Sequence, residues 1–87
     1  MTTVKAIKFW APWCGPCKAL SEILEGVELE NINIDEDVEG LSSKYKIRTI
    51  PTIVFVDEKG KEIERRSGII NKEKFYETLK SLQNAGE

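Results

Sequence analysis

The 87-residue chain contains no histidine. Catalysis by a cysteine or serine paired with an imidazole is thereby excluded, as is most zinc and haem ligation. Cysteine is scarce, at two residues, which rules out a disulfide-dense scaffold. No apolar stretch approaches the roughly 18–20 residues that a membrane-spanning helix requires, so no membrane association is expected. Met1 to Trp10 carries Lys5 and Lys8 among its apolar residues; it lacks the apolar centre of a secretory leader, which points to a cytoplasmic protein. Neither charge sign dominates. Thirteen basic and fifteen acidic side chains give −2, so there is no electrostatic footprint for nucleic acid, and a monomer is expected. What remains is ordinary globular composition, 40% apolar and 32% charged, in a length that fits a single domain spanning residues 1–87.

Hydrophobic periodicity divides the chain into short elements. Val4 to Phe9 reads as a strand ended by the Ala11-Pro12 turn. Lys18 to Glu25 places Leu20, Ile23 and Leu24 on one helical stripe closed by Gly26. Glu28 to Asp35 alternates like a strand, and Asp35 to Tyr45 spaces Val38, Leu41 and Tyr45 like a helix. Thr52 to Val56 is a β-branched and aromatic run suited to a strand covered on both faces. After the Glu58-Lys59-Gly60 turn, Lys61 to Arg66 reads as a charged edge strand with Ile63 alone pointing inward. Asn71 is placed to cap a last helix with Phe75, Leu79 and Leu82 on one face, and Asn84 to Glu87 are expected to fray. The order β-α-β-α-β-β-α predicts an α/β fold: a right-handed βαβ unit followed by an antiparallel hairpin.

The two cysteines lie three positions apart, Cys14-Gly15-Pro16-Cys17, where the first strand ends and the first helix begins. A helix start offers unpaired N–H groups and the positive end of the helix dipole, so a thiol there loses its proton more readily. The spacing brings both sulfurs to one side of a helical turn. Gly15 suits a tight turn, and Pro16 suits an early helical position. A ring this small gains little from chain entropy, so its disulfide should open and close readily. About 1.4 kcal/mol of stabilisation of the reduced thiolate moves such a two-electron couple by roughly 30 mV. A zinc site has neither a second cysteine pair nor a histidine and would have to be shared between subunits. A passive structural disulfide fits poorly with the small ring. Reversible redox chemistry is the favoured reading, with the thiols carrying the electrons and no cofactor implied.

Trp10-Ala11-Pro12-Trp13-Cys14-Gly15-Pro16-Cys17-Lys18 closely resembles the active-site segment of the thioredoxins. Lys44 to Thr52, with Ile50-Pro51-Thr52 at its end, is similar to that family's cis-proline segment; Asn33-Ile34-Asp35, Gly60 and Ser67-Gly68 follow in matching order. The resemblance implies a thioredoxin fold, here a four-stranded mixed sheet with helices on both faces. It also implies a protein-disulfide reductase in which Cys14 is an exposed nucleophile and the more buried Cys17 resolves the mixed disulfide. Pro51 would be cis, with Ile50 pairing with an extended substrate. Trp13, Gly15, Pro16, Gly68 and Ile69 would form an apolar rim. Trp10, as an aromatic more often found in cores, is expected to pack beneath the loop. Disulfide-containing proteins and a thioredoxin reductase are the implied partners.

The chain also departs from the family. It resembles the small, glutaredoxin-like members that lack an N-terminal strand and helix, so its first strand is expected to have less cover on one side. Glu22 stands where many members have a helix-kinking proline, which implies a straighter first helix. Lys8 occupies the position of the family's buried acid, six residues before Cys14, and Asn31 that of the lysine facing it. A buried ammonium must shift its pKa, reach solvent, or pair with a thiolate. The expectation is that Lys8 approaches the dithiol and tunes its pKa; the alternative is that it points to solvent. Two rival functions share the fold: a glutathione-linked, glutaredoxin-type reductant, and a non-catalytic binding subunit of a larger assembly.

Overall fold

A computed structural model describes residues 3–85 of the chain. Its elements are β1 (Lys5–Trp10), α1 (Gly15–Ile23), β2 (Glu30–Asn33), a single 3-10 turn (Ile34–Glu36), α2 (Leu41–Lys44), β3 (Thr52–Val56), β4 (Glu62–Ser67) and α3 (Lys72–Ala85). The strands form one mixed sheet in the order β2-β1-β3-β4. β1 runs parallel to β2 and antiparallel to β3, and β3 and β4 form the antiparallel hairpin. Alternation along the central strands separates two cores. Val4, Ala6, Ile53 and Phe55 pack with Leu20 of α1, Leu24 at its C-cap and Phe75 of α3; Ile7, Phe9, Val54 and Val56 pack with Tyr45, Leu41 and Ile47.

Four expectations change. β1 is not thinly covered: Ala6 through Phe9 are all buried, because β1 is flanked by strands on both edges and has helices on one face and the 34–50 segment on the other. The Asp35–Tyr45 helix is interrupted. Gly40 adopts φ +69 ahead of the short α2, and the Asp37 carboxylate accepts from Leu41 N, Ser42 N and the Ser42 hydroxyl. Chain reversal at Gly40 leaves Val38 96% exposed, off the stripe its spacing suggested. Ile63 points outward: Phe55 pairs with Glu64 and Val56 with Glu62, so Ile63 is the extra residue of a β-bulge. The bulge puts Glu62 and Arg65 on one face, where they form an ion pair at 2.6 Å and Arg65 also donates to Tyr45 O. Finally, Asn84 and Ala85 belong to α3; Gly86 and Glu87 lie outside the described residues.

Asn71 does cap α3, its side-chain oxygen accepting from Lys74 N at 2.7 Å. Asp37 performs the equivalent task for α2, and the resulting hydrogen bonds, that of the Ser42 hydroxyl foremost, hold its carboxyl below the ordinary carboxylate range. Because folding favours the charged form, this stabilisation is present above the unfolded carboxylate's pKa and fades as pH falls through the lower folded value. Asp37→Ala is expected to lower stability by about 1 kcal/mol at neutral pH, the usual size of a lost cap. Urea denaturation measures the difference, which should close as the pH drops below the carboxylate range.

Candidate active site

β1 ends at Trp10, and the chain turns through Ala11-Pro12-Trp13, with Cys14 N donating to Ala11 O at 3.1 Å. Cys14 then caps α1 in an extended conformation, and its Sγ accepts the Cys17 N–H at 3.2 Å. Pro16 occupies the first turn, where its missing N–H has no helical partner. Gly15 is the first residue of α1 and lies on open surface; a Cβ there would meet nothing within 4 Å. Its place is therefore not dictated by a tight turn, as the sequence suggested. Cys14 and Cys17 are joined as a disulfide with Cα atoms 5.2 Å apart.

The cysteine pair is less open than the family likeness implied. Cys17 is 1% exposed and Cys14 5%. Cys14 turns its sulfur inward onto the Cys17 amide and the partner sulfur, so its remaining surface lies between exposed neighbours, Trp13 on one side and Gly15 and Pro16 on the other. Trp10, Ile34 and Ile50 pack against the pair.

Across from Cys14 is the segment before β3. The Ile50–Pro51 bond is cis, and Ile50 O lies 3.9 Å from Cys14 Sγ, within reach of a thiol proton. Two contacts fix this segment. The Thr52 hydroxyl donates to Thr49 O at 2.8 Å, and Gly68 N donates to Pro51 O at 2.9 Å. Gly68 follows β4 with φ +85, a region a side chain strains to enter. Ile69 beside it is exposed, as is Trp13, at 67%. The Trp13 indole is held by its Nε1, which donates to Asp35 Oδ2 at 3.0 Å. In the sequence Asp35 marks an element boundary and a family landmark, and nothing in the pattern assigns it to Trp13.

Lys8 does not point to solvent. It is a buried charged residue of β1 whose Nζ donates to the Ser21 hydroxyl of α1 at 2.6 Å. Burial lowers its affinity for a proton. Asn31 is beside it in register on β2 and leaves its own side uncharged. Ser21 carried no signal in the sequence, since its role depends on strand β1 passing beneath α1. Among the described residues no group of three or more cysteines and carboxylates is arranged to hold a metal ion. A concavity of about 470 Å3 is lined by Val4, Ala6, Leu29 and Leu79 at the opposite end of β1 from the cysteines.

This arrangement can exchange a thiolate with a disulfide. The α1 amides stabilise negative charge on Cys14, and Cys17 is already within bonding distance to displace whatever Cys14 has bound. Known proteins resemble the chain. The thioredoxin family model matches residues 2–81. The chain is 40% identical over 80 residues to a thioredoxin from Mycoplasmoides gallisepticum, covering 85% of this chain and 79% of that one. It is 36% identical over 79 residues to the thioredoxin of Bacillus subtilis, covering 82% and 74%. Among solved structures, a mutant thioredoxin from Halobacterium salinarum superposes with a TM-score of 0.79 at 28% identity, covering 92% of this chain and 74% of that one. A thioredoxin from Fasciola hepatica does so with a TM-score of 0.66 at 34% identity, covering 90% and 79%. The chain therefore belongs to the thioredoxin family, as a thiol-disulfide oxidoreductase that reduces protein disulfides through its Cys14–Cys17 pair.

Proposed function

We propose that Cys14 is the attacking sulfur and Cys17 the resolving one, and that the substrate is a disulfide in an extended polypeptide segment. The observation that carries this reading is the double approach to Cys14 Sγ: the Cys17 amide donates to it while the Ile50 carbonyl faces it. An amide donor lowers the cost of a thiolate at Cys14, and a free carbonyl beside it offers an incoming strand a main-chain partner. The Cys14 thiolate attacks one sulfur of the target disulfide and expels the other as a thiolate. The Cys17 thiolate then attacks Cys14 Sγ, closing the internal disulfide and releasing the second target sulfur. Two electrons pass to the target, and the released thiolates take protons from solvent.

The exposed apolar groups around the pair suit a protein rather than a small molecule. Trp13, Gly15 and Pro16 are exposed beside the buried pair, and Ile69 is exposed next to Gly68, whose N–H donates to Pro51 O. The concavity beside Val4 and Leu79 lies elsewhere. We further propose that the chain acts as a monomeric single domain in the cytoplasm and is recharged by a thioredoxin reductase.

Cys14→Ser should abolish reduction of insulin disulfides. Cys17→Ser should still attack but stall as a mixed disulfide, visible by intact mass; turnover by either variant at the parent rate would overturn the assignment. Recharging by NADPH with thioredoxin reductase supports the proposed supply, whereas recharging by glutathione alone would favour the glutaredoxin-type rival. A binding subunit would act equally well with both cysteines replaced. Asp35→Ala frees the Trp13 indole and should raise KM about threefold with kcat unchanged. That is the lower end of the ~0.5–1.5 kcal/mol of a typical hydrogen bond, since the indole is exposed.

A further inference from the structure

We propose that Lys8, anchored by Ser21, is a counter-charge built beneath α1 that lowers the cost of a thiolate at Cys17, easing its resolving step and making the dithiol couple more oxidising. The proposal rests on the reading of Cys17 as the resolving sulfur. Its starting observation is a buried cation without an evident structural purpose: Lys8 is 5% exposed in the middle of the central strand.

Strand alternation puts Ala6, Lys8 and Trp10 on the same face of β1. Ala6 packs into the core beneath α1 and α3, and Trp10 packs on the cysteine cluster. Lys8 lies between them, at the junction of apolar core and redox pair. Its Nζ is 2.6 Å from the hydroxyl of Ser21. Ser21 follows Cys17 by four residues on α1, so the two side chains are neighbours on one helix face, with Cβ atoms roughly 5–6 Å apart. The ammonium is thus held about one helical turn from the resolving sulfur, on a buried strand residue whose anchor, Ser21, reaches the surface.

The groups around it are otherwise neutral. Its register partners are Asn31 on β2 and Ile53 on β3. α1 contributes Leu20 and the Ser21 hydroxyl to this side and Leu24 follows at its C-cap, while Lys18, Glu22 and Glu25 are exposed; α3 contributes Phe75. A desolvated ammonium is costly without a counter-ion. In the oxidised protein Cys17 is bonded to Cys14 and carries no charge. On reduction, two electrons from the reductant open the S–S bond and the pair takes up one proton from solvent; Lys8 keeps its own, and the remaining thiolate charge becomes the missing counter-ion. The interaction exists only in the reduced state, so it pulls the couple toward that state. Coupling is reciprocal: burial lowers the proton affinity of Lys8, and the thiolate restores part of it. Ser21 acts as a positioning residue, through Lys8.

The test isolates Cys17 in a Cys14→Ser background and follows its thiolate absorbance against pH. Lys8→Met should raise the Cys17 midpoint by about one pH unit. With both cysteines present, the same change should shift the glutathione equilibrium about tenfold, which corresponds to roughly 30 mV more reducing. Ser21→Ala should move both readouts the same way by about threefold. A folded Lys8→Met protein with unchanged midpoint and equilibrium would overturn the proposal; a purely structural lysine would alter the melting temperature alone. If Lys8→Met fails to fold, Ser21→Ala decides, and an unmoved midpoint there counts against it. The titration needs no substrate, so failure of the parent protein to reduce insulin would refute the proposed function and leave this measurement standing.

Discussion

The amide hydrogen that Cys17 gives to Cys14 Sγ, at 3.2 Å, is the contact around which the active end of the molecule is arranged. It exists because Cys14 is the N-cap of α1, a position whose side chain conventionally satisfies an unpaired helix amide. A serine or aspartate would do this with oxygen; here a sulfur does, and the capping bond becomes a bond to the reactive atom. Cys14 must sit at the end of β1, α1 must begin at once, and Pro16 must occupy the first turn without wasting a donor. Those requirements account for the compactness of the segment between Trp10 and Lys18. They also account for the burial of Cys14, since a capping side chain turns toward the helix.

β1 supplies the frame. With strands on both edges and covered on both faces, it fixes the height at which α1 starts and the depth at which Lys8 sits. The opposing segment is fixed independently by local hydrogen bonds. Gly68 N on Pro51 O and Thr52 on Thr49 hold Ile50 opposite Cys14 without help from a long helix. This division suits a small chain. α2 is a single turn, and the 34–50 region keeps its shape through side-chain bonds from Asp37 and Arg65 and the Tyr45 hydroxyl donated to Gly60 O.

Features set by periodicity or by a short-range motif were readable in the sequence: the strand at Thr52–Val56, the Asn71 cap, the hairpin at Gly60 and the cysteine pair at a helix start. What escaped was set by neighbours distant along the chain. Val38 has helical spacing with Leu41, but Gly40 and the Asp37 cap break the path between them. Ile63 is the one apolar residue in a charged strand, yet a bulge turns it outward so that Glu62 and Arg65 can share a face. No local pattern distinguishes Ser21 from an ordinary exposed helix residue, because its significance depends on which β1 side chain passes beneath it. The pairing of Asp35 with Trp13 spans 22 residues and is invisible for the same reason.

A redox protein has to remain folded in both states, and the placement of the disulfide makes that possible. The cysteines form a small cluster with Ala11, apart from the two clusters that hold the sheet to its helices. Opening the bond therefore leaves the burial of Phe9, Phe55 and Phe75 untouched. The ring closed by Cys14 and Cys17 is also too small to restrain the unfolded chain strongly; the chain-entropy relation assigns a four-residue loop about 2 kcal/mol, against roughly 3 kcal/mol for a 15-residue one. A disulfide bridging α1 to β3 or α3 would close a far longer loop and stabilise the fold more, but each reduction would then remove that larger support. Placing both sulfurs within one turn of α1, at the margin of the core, keeps most of the folding free energy independent of the redox state. The potential is then set by charges and donors near the sulfurs, such as the Cys17 amide that donates to Cys14 Sγ.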